Sequence, residues 1–482
     1  MTVQQLEPQV LWQHFADLNA VPRPSKKEER VRQFMVDFGQ KLGLETIVDK
    51  IGNVIIKKPG SAGKENATTV ILQSHLDMVH QKNADKIFDF DEQGIEMLVD
   101  GDWVQANGTT LGADNGIGVA AIMAVLSSKT LAHPPIEAFF TIDEETGMTG
   151  AKEMDGSLFQ GKILLNLDTE DDDELSIGCA GGIDTNTYYQ YSTEALQENP
   201  LQLTIQLRGL LGGHSGMDID KGRGNANKWM TRLLFNLSKS MDVQLLRFDG
   251  GSLRNAIPRE AEATIVISAD NKSVFDQICQ TYFEELKDEY ATIEPHHNWT
   301  IQETNIDAQA VSKADFTNIL ACLNAVHNGV FRMSPDIEGL VEASSSLARV
   351  QIQNGSFTTQ SLQRSSVEST KAEVSMVVGS AFELAGCKVE QSGDYPGWKP
   401  NPNSDILRIM TAMYREKFHD EPKVKACHAG LECGILGKHL PGVDMISFGP
   451  NIRAAHSPDE KVQVSSVQKF WEFYLDVLSA IN

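Results

Sequence analysis

Apolar residues near the start of the chain recur first with the spacing of helices and then with that of strands. In residues 5–20 they lie three and four positions apart, which predicts an amphipathic helix. Ser25 followed by Glu28 is a capping-box pattern, so a second helix is predicted from there to about residue 42. Short runs of β-branched residues within 45–58 predict a hairpin.

Three apolar runs further along are short and continuous. They span residues 68–73, 136–142 and 163–167, and a helix is predicted at 116–127 between the first two. Continuous apolar strands are typical of a parallel sheet that helices cover on both faces. The alternation of strands and helices therefore predicts an α/β fold with three layers around a mixed, largely parallel sheet. The polar stretch before about residue 110 is predicted to be irregular.

The pattern changes near residue 185. Two strands and two long helices are followed by a helix, a hairpin signal at Asn354-Gly355 and a further helix. This recurring order indicates an α+β domain with an internal duplication. The first pattern resumes near residue 396, so we predict one domain formed by residues 1–184 and 396–482, with the α+β domain inserted at 185–395.

Charge and composition exclude several partners. The chain has 482 residues, with 42 Lys and Arg against 66 Asp and Glu, a net charge of −24, which argues against nucleic acid or an anionic membrane as partner. Six scattered cysteines without a CxxC pair predict neither a disulfide framework nor a cysteine-based zinc site. The sequence shows no signal-peptide pattern and no apolar run that could span a bilayer, so we expect a cytoplasmic protein.

Polar residues with metal-binding side chains recur where the predicted strands stop. Four of them follow strands closely and one opens a helix; the set is His75, Asp114, Glu145, Asp168 and His456. Sites in open parallel sheets lie outside the carboxyl ends of the strands, so these residues can converge. Imidazoles and carboxylates without thiolates suit hydrolytic zinc, and manganese or cobalt also fits.

Five protein ligands are too many for one catalytic zinc that keeps an open position. They suit two metals that share a bridging carboxylate. Asp77 lies two residues after His75, hence on the same strand face, where it can accept the other imidazole N–H. Glu144 and Glu145 point to opposite faces if they end a strand, so one can bind a metal while the other acts on a water.

Each of these residues also has an ordinary structural explanation. The two glutamates can cap the following helix, Asp114 can be an N-cap, and His75 can be a hydrogen-bonded core residue. Asp168 precedes an acidic run typical of a solvated loop, and His456 can belong to a turn. None of these explanations accounts for the recurrence of such residues where strands stop.

Nine short motifs along nearly the whole chain resemble the co-catalytic zinc peptidase family of aminoacylases, glutamate carboxypeptidases and dipeptidases. Five surround the candidate ligands: Ser74–Asp77, Gly112–Gly116, Asp143–Gly147, Asn166–Asp168 and His456-Ser457. Four more resemble the dipeptidase subgroup: Gly178–Gly182, Gly212–Gly216, Arg254–Arg259 and His428–Glu432. The ordered set is specific, whereas any single motif is weak.

The resemblance implies a catalytic domain with an inserted lid that closes over the substrate, and two Zn²⁺ per subunit, replaceable by Co²⁺ or Mn²⁺. It implies that Asp114 bridges the metals. His75 and Asp168 then bind one metal, and Glu145 and His456 the other. Glu144 becomes the general base that converts the metal-bridging water to hydroxide, and Asp77 the acid that orients an imidazole.

Five further residues are candidates for contact with the substrate. The resemblance implies that His214 stabilises the oxyanion and that Asn255 holds the substrate backbone. Arg364 is a candidate for the substrate carboxylate, although a surface arginine explains it equally well, as a turn histidine explains His214. His428 and Glu432 either line the substrate pocket or brace the loop that carries His456.

The implied function is hydrolysis of short unblocked dipeptides, including Xaa-His dipeptides such as β-Ala-His. An aminoacylase or deacetylase acting on N-acyl amino acids has the same metal chemistry and remains an alternative. A metal-binding protein without catalysis is another, although Glu144 argues against it because pure binding needs no base. Two assemblies remain open: a homodimer formed through the lid, or a monomer in which a duplicated lid replaces the partner.

Overall fold

The computed structural model describes residues 2–305 and 309–482. These residues form two compact units. The first consists of Met1–Gly178, Trp398–Ala426 and Leu431–Asn482, and the second of Cys179–Gly397 and Cys427–Gly430.

The first segment of the first unit contains eight strands and five α-helices among its described residues. The strands are β1 (Glu45–Val48), β2 (Val54–Lys58), β3 (Val70–His75), β4 (Met97–Asp100), β5 (Trp103–Ala106), β6 (Ile136–Thr141), β7 (Ile163–Asn166) and β8 (Glu174–Cys179). The helices are α1 (Gln9–Asn19), α2 (Glu29–Lys41), α3 (Ala113–Ser127), α4 (Glu144–Gly147) and α5 (Thr149–Lys152). Short 3₁₀ helices lie at Val3–Gln5 and Gly156–Leu158.

The second unit is richer in strands. Its strands are β9 (Gly181–Gln190), β10 (Thr193–Glu194), β11 (Pro200–Arg208), β12 (Gln244–Gly250), β13 (Ala261–Ser268), β14 (Asn298–Glu303), β15 (Ala310–Val311), β16 (Gly329–Met333), β17 (Val341–Gln353), β18 (Ser356–Ser365) and β19 (Lys388–Tyr395). Its helices are α6 (Ala226–Ser240), α7 (Lys272–Glu289), α8 (Lys313–Ala325) and α9 (Glu368–Glu383), with a 3₁₀ helix at Ala269–Asn271.

The chain then returns to the first unit. Its last strands are β20 (Lys423–Cys427), β21 (Asp444–Ser447), β22 (Ile452–Arg453) and β23 (Lys461–Gln463). Its last helices are α10 (Asp405–Phe418), α11 (Glu432–His439) and α12 (Val464–Ala480). Among the described residues, no helix combines the length and apolar character needed to cross a bilayer.

The main sheet of the first unit is mixed, as predicted. Its strand order is β1-β2-β6-β3-β7-β21-β8-β20. The neighbours β6, β3, β7 and β21 run parallel, whereas the pairings β1–β2, β2–β6 and β21–β8 are antiparallel. Parallel pairing is thus central, and it brings the carboxyl ends of β3, β6 and β7 to one edge of the sheet.

Burial explains why these elements form. Every residue of β3 and of β6 is buried, as the continuous apolar runs predict. Helix α3 is apolar on all sides, and its residues from Ile117 to Leu126 are buried against β3 and α1. The α/β class predicted for this unit is confirmed.

The sheet of the second unit joins two β-α-β-β-α-β repeats. The first repeat, β11-α6-β12-β13-α7-β14, has the sheet order β14-β11-β13-β12. The second, β9-α8-β17-β18-α9-β19, has the same order, β19-β9-β18-β17, and β12 pairs with β17 where the repeats meet. The first repeat lies between β9 and α8 in the chain, so the duplication is nested rather than consecutive.

Two sequence-based expectations for the first unit are wrong. Helix α2 begins at Glu29 with Glu28 as its N-cap, and Ser25 instead donates its hydroxyl to the carbonyl oxygen of Met78, so the capping box does not form. The stretch expected to be irregular contains β4 and β5, which pair with β22 and β23 in a separate four-stranded sheet. The hydrogen bond of Ser25 and the pairing of this second sheet both depend on partners that are distant in the chain.

Candidate active site

Five side chains from separate segments of the first unit come together at the carboxyl edge of its main sheet. His75 ends β3, Asp114 lies in the first turn of α3, and Glu145 lies in α4. Asp168 follows β7, and His456 lies in the loop after β22. The structure thus brings together all five predicted metal ligands, which are spread over more than 380 positions of the chain.

Asp114 lies between the two histidines, with one carboxylate oxygen for each. His75 Nε2 is 3.1 Å from Asp114 Oδ1, and His456 Nε2 is 3.2 Å from Asp114 Oδ2. A carboxylate that offers each oxygen to a different imidazole has the arrangement expected of a ligand shared by two metals.

The remaining two acids divide between the same two histidines. His75 Nε2 is 3.6 Å from Asp168 Oδ1, and His456 Nε2 is 3.0 Å from Glu145 Oε2. The five residues therefore form two groups that have only Asp114 in common.

The donor set fits divalent metal ions. Ligand atoms of His75, Asp114 and Glu145 all lie within 4.8 Å of one another. Glu145 Oε1 is buried and has no hydrogen-bond partner among the described residues. Hydrogen bonds to Asp114 and Glu145 raise the pKa of His456 to about 11, so the cluster favours positive charge. Imidazoles and carboxylates are ligands that zinc accepts.

Asp77 connects the first histidine to the two glutamates. Its Oδ1 accepts a hydrogen bond from the backbone N–H of Glu144 at 3.0 Å, and its Oδ2 accepts one from Glu145 at 3.3 Å. His75 Nδ1 lies 3.4 Å from Asp77 Oδ1. Asp77 thus lies next to the imidazole and holds the first turn of α4, and its role in orienting the ring stays a prediction.

The strand geometry used to predict these contacts is wrong. Strand β6 ends at Thr141, and Glu144 and Glu145 begin the short helix α4. Successive side chains on a helix diverge by about 100°, which separates the two glutamates without a strand. Strand β3 ends at His75, so Asp77 reaches the imidazole through a turn, in which His75 Nδ1 lies 3.1 Å from the Asp77 carbonyl oxygen.

The surroundings of Glu144 raise the pKa of its carboxyl group. Burial raises its pKa well above the usual value, and the nearby charges of Glu432 and Glu145 raise it further, against the effect of His75. Glu432 is itself fully buried, and its Oε2 accepts hydrogen bonds from Gln73 at 2.6 Å and Thr141 at 2.7 Å. Burial raises the pKa of Glu432 to about 7. These contacts join Glu432 to the central sheet, and substrate contact stays a prediction.

Glu460 joins the loops that carry Asp114 and His456, and sequence reasoning missed it. Its buried carboxylate accepts hydrogen bonds from four consecutive backbone N–H groups: Leu111 at 2.7 Å, Gly112 at 2.9 Å, Ala113 at 2.8 Å and Asp114 at 3.2 Å. Because Glu460 follows His456 by four residues, it fixes the His456 loop to the Asp114 loop. The signal in the sequence that could have indicated this residue was the acid that ends the HSPDE motif.

Arg23 also joins two loops near the site, and sequence reasoning missed it as well. Its buried guanidinium donates to the carbonyl oxygens of Leu76 and Asp77, each at 3.1 Å, and to that of Gly112 at 2.6 Å. Gly112 has φ +71°, and a Cβ there would lie 2.5 Å from Arg23 Nη2. Burial lowers the pKa of Arg23 to about 10. The loops after β3 and before α3 are therefore held together by one cation.

In the second unit, Arg364 is the centre of a buried polar cluster. Its Nη1 donates to the Tyr395 hydroxyl at 2.9 Å, and its Nη2 lies 3.3 Å from His214 Nε2. Arg364 Nε is buried without a hydrogen-bond partner, and within residues 2–305 and 309–482 the guanidinium forms no ion pair. A buried guanidinium with a donor left over is suited to an anionic ligand.

His214 presents a second donor beside this guanidinium. Its Nδ1 accepts hydrogen bonds from the backbone N–H groups of Gly216 at 3.2 Å and Met217 at 3.0 Å. Burial and the charge of Arg364 lower its pKa to about 4, so the ring is neutral and carries its proton on Nε2. Two N–H donors therefore lie side by side, an arrangement that an anionic oxygen would satisfy.

Two further predicted residues lie in the second unit. His428 is buried, with Nε2 2.7 Å from Ser344 Oγ, and burial and Arg364 lower its pKa to about 3. Asn255 is in an exposed turn. Its backbone carbonyl oxygen accepts a hydrogen bond from the backbone N–H of Ser215 at 2.8 Å. The turn that carries Asn255 is thus joined to the segment that carries His214.

Comparison with known proteins identifies the class of enzyme. Residues 71–480 match the profile of peptidase family M20/M25/M40. The chain belongs to this family, so it is a metallopeptidase, an enzyme that hydrolyses peptide bonds and has a metal ion as cofactor. The family membership predicted from the nine motifs is confirmed.

Two dipeptidases are similar to the chain along nearly its whole length. It is 41% identical over 477 residues to the cytosol non-specific dipeptidase of Escherichia coli (strain K12), which covers 99% of this chain and 98% of that protein. It is 44% identical to the aminoacylhistidine dipeptidase of Vibrio alginolyticus, whose crystal structure has a TM-score of 0.94 over 100% of this chain and 98% of that one. Aminopeptidase PepT of Bacillus cereus, at 16% identity, a TM-score of 0.56 and 98% coverage of both chains, shares the fold.

Proposed function

We propose that the protein is a two-metal dipeptidase that cleaves short unblocked dipeptides, including Xaa-His dipeptides such as β-Ala-His. The observation that carries this proposal is Asp114, which offers one carboxylate oxygen to His75 and the other to His456. The names of the two similar proteins, both dipeptidases and one an aminoacylhistidine dipeptidase, support the class of substrate.

The residues around Asp114 would hold two Zn²⁺, for which Co²⁺ or Mn²⁺ can substitute. His75 and Asp168 are assigned to one ion and Glu145 and His456 to the other, in keeping with the two groups of contacts. When bound, the ions polarise the peptide carbonyl and lower the pKa of the attacking water. Asp77 holds the tautomer of His75 and the first turn of α4.

Glu144 is assigned the proton transfers. Its carboxylate takes a proton from the attacking water and then passes it to the amine that leaves. A general base works best when its pKa is near the working pH, and burial of Glu144 raises its pKa in that direction. Glu144 precedes the ligand Glu145 directly in α4, so the base and a metal ligand are fixed by the same turn.

The polar cluster of the second unit is assigned to the substrate. Arg364 binds the C-terminal carboxylate, and His214, neutral with its proton on Nε2, donates to the oxyanion that forms from the peptide carbonyl. Asn255 holds the substrate backbone, and His428 and Glu432 remain candidates for the pocket. Donors for a carboxylate and for an oxyanion that lie only 3.3 Å apart favour substrates with one peptide bond.

Hydrolysis of a small substrate panel tests this function. The panel contains β-Ala-His, another Xaa-His dipeptide, an N-acetyl amino acid and a tripeptide, each assayed with metal-depleted protein before and after addition of zinc. We expect zinc to restore cleavage of the dipeptides alone. Cleavage of only the acetylated substrate would favour an aminoacylase, and no cleavage despite bound metal would favour a binding protein.

The cellular location and the assembly are also proposals. The name of the Escherichia coli relative supports the cytoplasm. The predicted homodimer and the alternative monomer differ twofold in mass, which light scattering measures directly.

A further inference from the structure

We infer that Glu294 is a positioning residue for His214. It acts by closing the loop of residues 211–224, which carries the histidine and is called the 211–224 loop below. The inference rests on the proposed role of His214 in the reaction, but it concerns the placement of the ring and has a readout of its own.

Glu294 joins the two ends of this loop. It follows α7, and only 1% of its surface is exposed. Its Oε2 accepts a hydrogen bond from the backbone N–H of Leu211 at 2.8 Å, and its Oε1 accepts one from Gly224 at 2.9 Å. One buried carboxylate thus satisfies a donor at each end of the loop, and each of its oxygens is used.

A chain of contacts leads from these ends to the histidine. Arg223, the neighbour of Gly224, donates from Nη1 to the carbonyl oxygen of Gly212 at 2.7 Å and forms an ion pair with Asp218 at 3.1 Å. Asp218 Oδ2 accepts a hydrogen bond from the backbone N–H of His214 at 2.8 Å. The backbone of His214 is therefore held by residues whose own positions depend on the closed loop.

The loop is packed closely enough that a shift at its ends would reach the ring. Gly213 has φ +125°, and a Cβ there would clash with the guanidinium of Arg223. The carbonyl oxygen of Gly213 accepts a hydrogen bond from Ile257 at 2.8 Å. The orientation of the ring in turn depends on hydrogen bonds from Gly216 and Met217 to Nδ1. These bonds place the Nε2 proton beside Arg364.

Glu294→Gln is the sharpest change, because it keeps the shape and removes one acceptor. A glutamine offers one carbonyl oxygen and one NH₂ group, so one of the two backbone N–H groups must face another donor. We expect kcat for β-Ala-His to fall about tenfold, since part of the contribution of one oxyanion donor is lost. KM should stay within about twofold because Arg364 is unchanged. Glu284→Gln, at an exposed position on α7, is the matched control.

A double-mutant cycle separates positioning from general loss of stability. His214→Ala and the double variant Glu294→Gln/His214→Ala are compared under the same conditions. If Glu294 acts through His214, the double variant has the activity of His214→Ala alone. If Glu294→Gln lowers kcat by the same factor with and without His214, the inference is overturned.

A readout without catalysis distinguishes this inference from the proposed function. The pKa of His214 is measured by NMR, and amide exchange of the 211–224 loop by mass spectrometry. In Glu294→Gln we expect the pKa of His214 to rise toward 6.5 and exchange of the loop to become faster. An unchanged pKa with unchanged exchange contradicts the inference. Full activity of His214→Ala, together with these shifts, would instead contradict the role proposed for His214 in the reaction.

Discussion

Replacing Glu144 with glutamine is expected to lower kcat for a dipeptide by about 10²–10⁴-fold while two zinc ions remain bound. The amide keeps the size of the side chain but cannot take a proton from water. Glu144 is not among the five residues assigned to the metals, so the affinity for zinc should change little. Steady-state kinetics and metal analysis of the same sample measure both effects.

The neighbouring residue provides a matched control. Glu145→Gln makes the same chemical change one position further along α4, at a residue whose Oε2 lies 3.0 Å from His456 Nε2. We expect Glu145→Gln to weaken zinc binding, and added zinc to restore part of its activity. Glu144→Gln should show no such recovery. If Glu144→Gln retains the activity of the unmodified enzyme, the assignment of the general base is wrong.

Replacing Arg364 with lysine is expected to lower kcat/KM for dipeptides by about 100-fold, chiefly through KM. The lysine keeps the charge but loses the planar fork that can bind a carboxylate with two hydrogen bonds. It also loses the contacts with Tyr395 and His214, since one ammonium cannot reproduce both.

The value of kcat/KM for a dipeptide is compared with that for the same dipeptide with a C-terminal amide. This comparison shows whether Arg364→Lys loses activity because it no longer binds the substrate carboxylate. The unmodified enzyme should strongly prefer the acid, and Arg364→Lys should have lost most of that preference. Arg332→Lys, at a half-exposed position on β16, is the control and should keep it. An undiminished preference for the acid in Arg364→Lys would place carboxylate recognition elsewhere.

The convergence of the proposed metal ligands could be predicted from the sequence because strand ends are visible in it. Continuous apolar runs locate β3, β6 and β7, and parallel strands place whatever follows them at one edge of the sheet. His75, Glu145 and Asp168 could be found in this way. The strand-face argument for Glu144 failed all the same, because the chain leaves β6 at Thr141 and turns into α4 before the glutamates.

The residues that hold the loops of the proposed ligands could not be predicted, because their partners are distant in the chain. Glu460 bonds to backbone N–H groups that lie 346 to 349 positions earlier, and nothing in its local pattern indicates them. Arg23 looks like a surface residue near the end of a helix, yet it is buried against two loops. The nested duplication was obscured for a similar reason, because β9 is separated from the rest of its repeat by the whole of the other one.

Titration of the metal-depleted protein with zinc tests the central claim most directly. Bound zinc and hydrolysis of β-Ala-His are followed in the same samples as zinc is added. The account predicts that two ions bind per chain and that full activity is reached only when both sites are filled. It also predicts that Asp114→Asn does not reach full activity at any zinc concentration. Saturation at one ion with full activity, or hydrolysis without metal, would contradict the account.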